Sequence, residues 1–98
     1  MEITKDAQGE VLNIVLSGRL DTTTAPQLEE IVIQDLNGVK ELNFDFTDLA
    51  YVSSAGLRVL LAAQKTMKAQ GNMVIKNVNE SVKEVFDITG FADILTIV

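Results

Sequence analysis

The chain has no cysteine, no histidine and no tryptophan, and a single proline among its 98 residues. Without cysteine there is neither a disulfide framework nor a thiolate metal site, and without histidine the commonest general base and metal ligand is missing. These absences exclude most hydrolase and metalloenzyme mechanisms, and no cofactor, metal ion or catalytic residue is expected. Long apolar runs are also lacking. None approaches the roughly 18 residues needed to span a bilayer, and Met1 to Asp6 lacks the basic-then-apolar order of an export signal. The expectation is a soluble cytoplasmic protein with no membrane partner. Basic charge is scarce: eight Lys and Arg stand against fourteen Asp and Glu, for a net charge of −6. That balance argues against direct nucleic-acid binding, because phosphate backbones select basic faces.

What is present is a chain of single-domain length, long enough to bury roughly 60–65% of its unfolded surface and too short for two cores. Its charge is unevenly placed. Between Asp48 and Glu80 there is no acidic residue, while Arg58, Lys65, Lys68 and Lys76 all lie there; the remainder holds four basic residues and all fourteen acidic ones. One predicted helix is therefore basic within an acidic protein. A charged outer face is ordinary on a solvated helix, and the sequence favours that reading over a dedicated docking stripe.

Ile3 to Gln8 and Val11 to Ser17 have strand character and flank Gln8-Gly9-Glu10, which predicts a hairpin. Both faces of the second run are largely apolar, as in a strand covered on both sides. Thr24-Ala-Pro-Gln27 reads as a capping box with Thr24 as the cap, opening a helix whose inner stripe is Leu28, Ile31, Val32 and Leu36. Ile33 falls off that stripe, as single exposed apolar residues commonly do. Glu41 to Phe46 alternates as a strand. A helix is expected from Ser54 to Gln70, with Leu57, Leu60, Leu61 and Met67 inward and Gly71 as its stop. Met73 to Lys76 is a strand, Asn79 caps a third helix closed by Gly90, and Leu95 to Val98 is a last short strand. Strands separated by helices favour parallel crossovers, so the fold class is α/β: a mixed, mostly parallel sheet with an N-terminal hairpin and helices packed on it.

The most informative stretch is Asp48 to Leu61, where an apolar strand exit passes through two adjacent serines into an amphipathic helix. Ser53 has the short acceptor side chain of an N-cap, which places Ser54 at the first helical position beside N–H groups lacking intrahelical partners. A phosphate on Ser54 would meet a favourable dipole and free donors, with Arg58 four residues on adding a charge-assisted hydrogen bond. On sequence alone the plainer reading is that both serines cap and solvate a helix start. Gly56 permits a close approach, by a partner or by a neighbouring strand. Asp21, Asp45 and Asp48 would offer oxygens to Mg²⁺ near strand ends, yet each has a plainer role available, Asp48 as a turn or cap residue. An enzyme built on them would lack a lysine or histidine to complete its chemistry.

Four segments together resemble the STAS domain of anti-sigma factor antagonists: Gly18-Arg-Leu-Asp21-Thr-Thr-Thr-Ala25, Asp45-Phe-Thr-Asp48-Leu, Val52-Ser-Ser-Ala-Gly-Leu57 and Val85-Phe-Asp-Ile-Thr-Gly-Phe91. They occur in the family's order and span the chain, so residues 1–98 are expected to form one STAS domain. The resemblance implies a bacterial partner switch that binds an anti-sigma factor, itself an ATP-dependent serine kinase, and so frees a sigma factor. The family's phosphorylated serine lies two residues before the motif glycine, which is Ser54. Phosphorylation releases the kinase, and a PP2C-type phosphatase restores binding. The family's partner surface corresponds to Asp21, Thr22, Thr23, Ser53, Ser54 and Arg58. Two neighbours depart from well-studied members: Ser53 stands where aspartate is frequent, and Ala55 where Ser or Thr is frequent. Other members serve nucleotide-sensing, lipid-transport or sulfate-transport assemblies. Ser53 to Gly56 is too short for a P-loop and has no following lysine.

Overall fold

The computed structural model describes every residue from Met1 to Val98. Strands β1 (Glu2–Gln8) and β2 (Val11–Leu20) form the expected hairpin, followed by α1 (Ala25–Asp35), β3 (Glu41–Val52), α2 (Ser54–Gln70), β4 (Asn72–Lys76) and α3 (Glu80–Thr89), with a short 3₁₀ turn at Phe91–Asp93. The sheet order is β1-β2-β3-β4; β1 pairs antiparallel with β2, and the other pairs are parallel.

Two successive crossovers, β2 to β3 and β3 to β4, step across the sheet in one direction. Right-handed connections of that kind place their helices on one face. The expectation that β2 is covered on both sides is corrected accordingly. Leu12, Ile14, Leu16 and Leu20 point into the core, whereas Val15 on the other face is 37% exposed. On that open face the Asn43 side chain donates to Asn13 Oδ1 across the β2/β3 ladder at 3.0 Å. A polar pair there fits a face that water reaches.

The core is one cluster of 24 buried apolar residues between this single helical layer and the sheet. α1 contributes Leu28 and Val32, with Leu36 buried just beyond its end and Ile31 half-buried; Ile33 is 75% exposed. α2 contributes Leu57, Leu60 and Met67 as expected, and also Val59 and Ala63, while Leu61 is only half-buried. The buried stripe of α2 is turned and widened because the helix packs against α1 as well as against β3 and β4.

β3 runs six residues past the Phe46 expected as its end, to Val52. Its pairing with β2 slips twice: Val15 and Ser17 face Asp45 and Asp48, and Gly18 and Arg19 face Leu49 and Tyr51. Each slip adds a residue to β3, so the inward positions change from Phe44 and Phe46 to Leu49 and Val52. A bulge breaks the two-residue alternation from which strands are read. At the other end of the chain, the expected strand from Leu95 to Val98 shrinks to one parallel bridge between Ile75 and Ile97. The 3₁₀ turn and the αR conformation of Ile94 use up the residues before it. Two backbone bonds remain, Ile75 N–H to Thr96 O at 2.9 Å and Val98 N–H to Ile75 O at 3.0 Å.

Candidate functional site

The C-terminal ends of β2 and β3 and the first turns of α1 and α2 meet at one edge of the sheet. Leu20 is the joint. Its carbonyl accepts the Ser53 N–H at 2.8 Å, which fixes the mouth of α2 beside the Asp21-Thr22-Thr23 loop. Its buried side chain lies where Gly56 has no Cβ: a methyl group there would stand 2.6 Å from Leu20 Cγ and 3.0 Å from Leu20 O. Of the two approaches open to Gly56, the neighbouring strand is therefore the one that uses it.

Ser53 is the N-cap of α2, with extended backbone, and its side chain accepts the Gly56 N–H at 3.4 Å. That engagement leaves the Ser54 and Ala55 N–H groups as the open donors of the first turn. Ser54 opens α2 at the first helical position and is exposed, and Arg58, also exposed, sits one turn further along. A shallow cleft of about 150 Å³ separates the starts of the two helices; Thr22, Pro26, Ala55 and Arg58 line it. Thr22 and Arg58, 36 residues apart in the chain, thus share one small surface beside Ser54.

The loop before α1 differs from the expected capping box. Thr24 makes no side-chain cap: it is already in the αR region, and the Gln27 N–H goes to its backbone carbonyl at 3.0 Å. The Thr24 hydroxyl instead donates back to Arg19 O at 2.7 Å and accepts the Asp21 N–H at 2.8 Å. Asp21 takes over the role, its Oδ1 accepting the N–H groups of Thr23 at 3.0 Å and Thr24 at 3.1 Å. Hydrogen bonds to the charged form hold the Asp21 carboxyl below the usual carboxylate range, the Thr24 N–H contributing most, against a smaller opposing effect of burial.

Asp48 is also placed differently from expectation. It lies inside β3 opposite Ser17 and is exposed, so it neither caps nor turns the chain, because the strand extended past it. Asp45 is occupied at the first bulge, where its Oδ1 accepts the Thr47 hydroxyl at 2.6 Å, the Thr47 N–H at 2.9 Å and the Asn77 amide at 3.1 Å. The Thr47 hydroxyl first and the Asn77 amide second lower its pKa. Asp21, Asp45 and Asp48 do not converge, and no group of three acidic side chains is arranged to hold a metal ion.

Two residues at this edge were not singled out from the sequence. The Arg19 guanidinium lies over the Tyr51 ring, 4.3 Å from its centroid, with Nε 3.7 Å from Asp21 Oδ2. The two are register partners in the β2/β3 ladder, a pairing the second bulge creates. Only knowledge of that slip would have brought them together on paper.

The fold is a two-layer α/β domain, helices on one face of a mixed four-stranded sheet, with a polar, serine-bearing edge. The chain belongs to the STAS domain family, whose model matches residues 2–98. It is 37% identical over 99 residues to a putative anti-sigma factor antagonist, BtrV, of Bordetella bronchiseptica, covering 99% of this chain and 85% of that protein. It is 31% identical over 97 residues to the anti-sigma-B factor antagonist of Listeria monocytogenes, covering 95% and 83%. Among solved structures, unphosphorylated SpoIIAA, an anti-sigma factor antagonist, shares the fold with a TM-score of 0.83 at 21% identity, covering 99% of this chain and 88% of that one. The phosphorylated form of SpoIIAA from Bacillus matches with a TM-score of 0.69 at 18% identity, covering 99% and 91%. No helix of the chain is long and apolar enough to cross a membrane.

Proposed function

We propose that this chain is an anti-sigma factor antagonist working in the bacterial cytoplasm, and that Ser54 is the residue whose phosphorylation switches it. The unphosphorylated edge formed by Asp21, Thr22, Thr23, Ser53, Ser54 and Arg58 binds an anti-sigma factor that is also an ATP-dependent serine kinase. Transfer of phosphate to Ser54 ends that complex, and a PP2C-type phosphatase restores it. The protein itself catalyses nothing.

The observation that carries this reading is the exposure of Ser54 at the first position of α2 while Ser53 takes the capping role. One hydroxyl stabilises the helix and its neighbour is left open to a visiting active site. The names of the relatives support the sigma-factor context, and a structural neighbour known in a phosphorylated form supports the chemistry.

Phosphoserine adds about −1.5 to −2 of charge at neutral pH, and a helix N-terminus with open N–H donors accommodates it. The domain therefore keeps its fold, and the penalty falls on the complex. A partner packed over a neutral hydroxyl must desolvate a dianion, at a cost of several kcal/mol, and each 1.4 kcal/mol is a tenfold loss of affinity. Incubating the domain with its anti-sigma factor and ATP, then mapping phosphate by mass spectrometry, tests the assignment. A single phosphate on Ser54 is expected; modification confined to Ser53 or to another residue overturns it.

A further inference from the structure

The four basic residues between Asp48 and Glu80 include three on α2, a helix without a single Asp or Glu. At about 100° per residue, Ser54, Arg58, Leu61, Lys65 and Lys68 fall within about 40° of one line along the helix. Ser54, Arg58, Lys65 and Lys68 are exposed and Leu61 is half-buried, so that line is the solvent face. The cations thus form a ridge that begins at the switch serine and runs about 21 Å toward the other end of the helix.

Structural work accounts for little of this charge. With no acidic residue on α2, no i,i+4 ion pair is available. Neither ion pair in the protein involves α2: they join Lys5 to Asp35 and Arg19 to Asp21. Glu29 lines the cleft that Arg58 also lines, yet the two form no salt bridge. Lys68 lies in the last turn, where the helix dipole favours a cation, but Arg58 is near the opposite end, where it does not. Lys65 and Lys68 are about 5 Å apart along the axis, within the roughly 8 Å screening length at physiological salt, and Arg58 lies about 10 Å from Lys65, just beyond it, so the fields of the two lysines add most strongly.

We infer that the α2 ridge of Arg58, Lys65 and Lys68 docks against an acidic strip on the same anti-sigma factor, steering its active site onto Ser54. This rests on the function proposed above and adds a second element to the switch. Three positive charges attract the partner before phosphorylation; a phosphate of about −2 at the head of the ridge cancels most of that attraction. Release then involves slower re-association as well as the loss of contact at Ser54. Occupants other than a protein are disfavoured because the remainder of the surface is acidic and would repel nucleic acid or anionic lipid.

The test measures association of the full chain with its anti-sigma factor kinase by stopped-flow at low and high salt. The chains compared are wild type, Lys65→Gln/Lys68→Gln, Lys65→Glu/Lys68→Glu and Ser54→Asp. Expected are unchanged folding, since both lysines are exposed, and a graded fall in association rate at low salt. Reversal should reach at least tenfold, Ser54→Asp should also slow association, and the differences should shrink at high salt. If wild type binds and charge reversal leaves rate and salt dependence unchanged, the ridge is overturned while the function stands. If wild type does not bind, the function fails and the ridge with it. Equal or tighter binding to phosphatidylserine vesicles or to a single-stranded oligonucleotide, dependent on the same lysines, also overturns the assignment to a protein partner.

Discussion

Ser53 and Ser54 are adjacent and chemically alike, and only their backbone positions give them different roles. Ser53→Ala is expected to lose about 0.5–1 kcal/mol, the low end for a cap because its bond is 3.4 Å long, yet to remain phosphorylated at Ser54. Ser54→Ala is expected to keep its stability and accept no phosphate. Urea midpoints combined with phosphopeptide mapping check both, and the reverse pattern would exchange the two roles. Gly56 offers a second residue-scale test. Alanine gains about 1 kcal/mol in helix propensity over glycine, but its methyl group would press on Leu20, whose side chain is fully buried and whose carbonyl holds Ser53. Overpacking costs about 1–3 kcal/mol, so Gly56→Ala should be destabilised by up to about 2 kcal/mol net, read from thermal melts. A melt at or above wild type would show that Leu20 gives way. Cap identity was legible in the sequence for Ser53 and Asn79, whose own side chains face the helix. It was not legible at Thr24, whose hydroxyl prefers two backbone partners that the fold brings back to it.

At the scale of elements, caps and glycines decide where helices begin and end. Asn79 accepts the Val82 N–H at 2.9 Å and donates to Leu49 O on β3 at 2.8 Å, so it caps α3 and fastens it to the sheet between the two bulges. Asn79→Ala removes both bonds and is expected to cost about 1–3 kcal/mol, more than an isolated cap. Loss of amide-exchange protection should extend from α3 to the end of β3, and protection unchanged at β3 would confine Asn79 to its cap. Gly71 was legible as a helix stop for a partial reason. Its backbone is extended, with φ of 179°, and its lack of a side chain matters because a Cβ would collide with the Lys40 carbonyl, which also accepts the Asn72 N–H. The boundaries of α2 and α3 were readable because their signals are local. The length of β3 was not: Asp45, Thr47 and Asn77 hold its bulge through a residue from beyond α2, and alternation fails at that point.

For the molecule as a whole, the one-sided helical layer leaves one sheet face open and gathers the strand ends, the Asp21 loop and the mouth of α2 on one edge. The sequence's α/β order implied that edge, but the single covered face needed the strand order, which spacing does not carry. Likewise the basic interval was visible as a count, while its alignment behind Ser54 became meaningful only with the exposed side of α2 defined. Affinity of the anti-sigma factor for the native domain, compared with the same domain carrying phosphoserine at position 54, is the most direct measurement of the central claim. The account predicts at least tenfold weaker binding with an unaltered melting temperature. Equal affinity, or weaker binding that arises only because the phosphorylated domain unfolds, would contradict it.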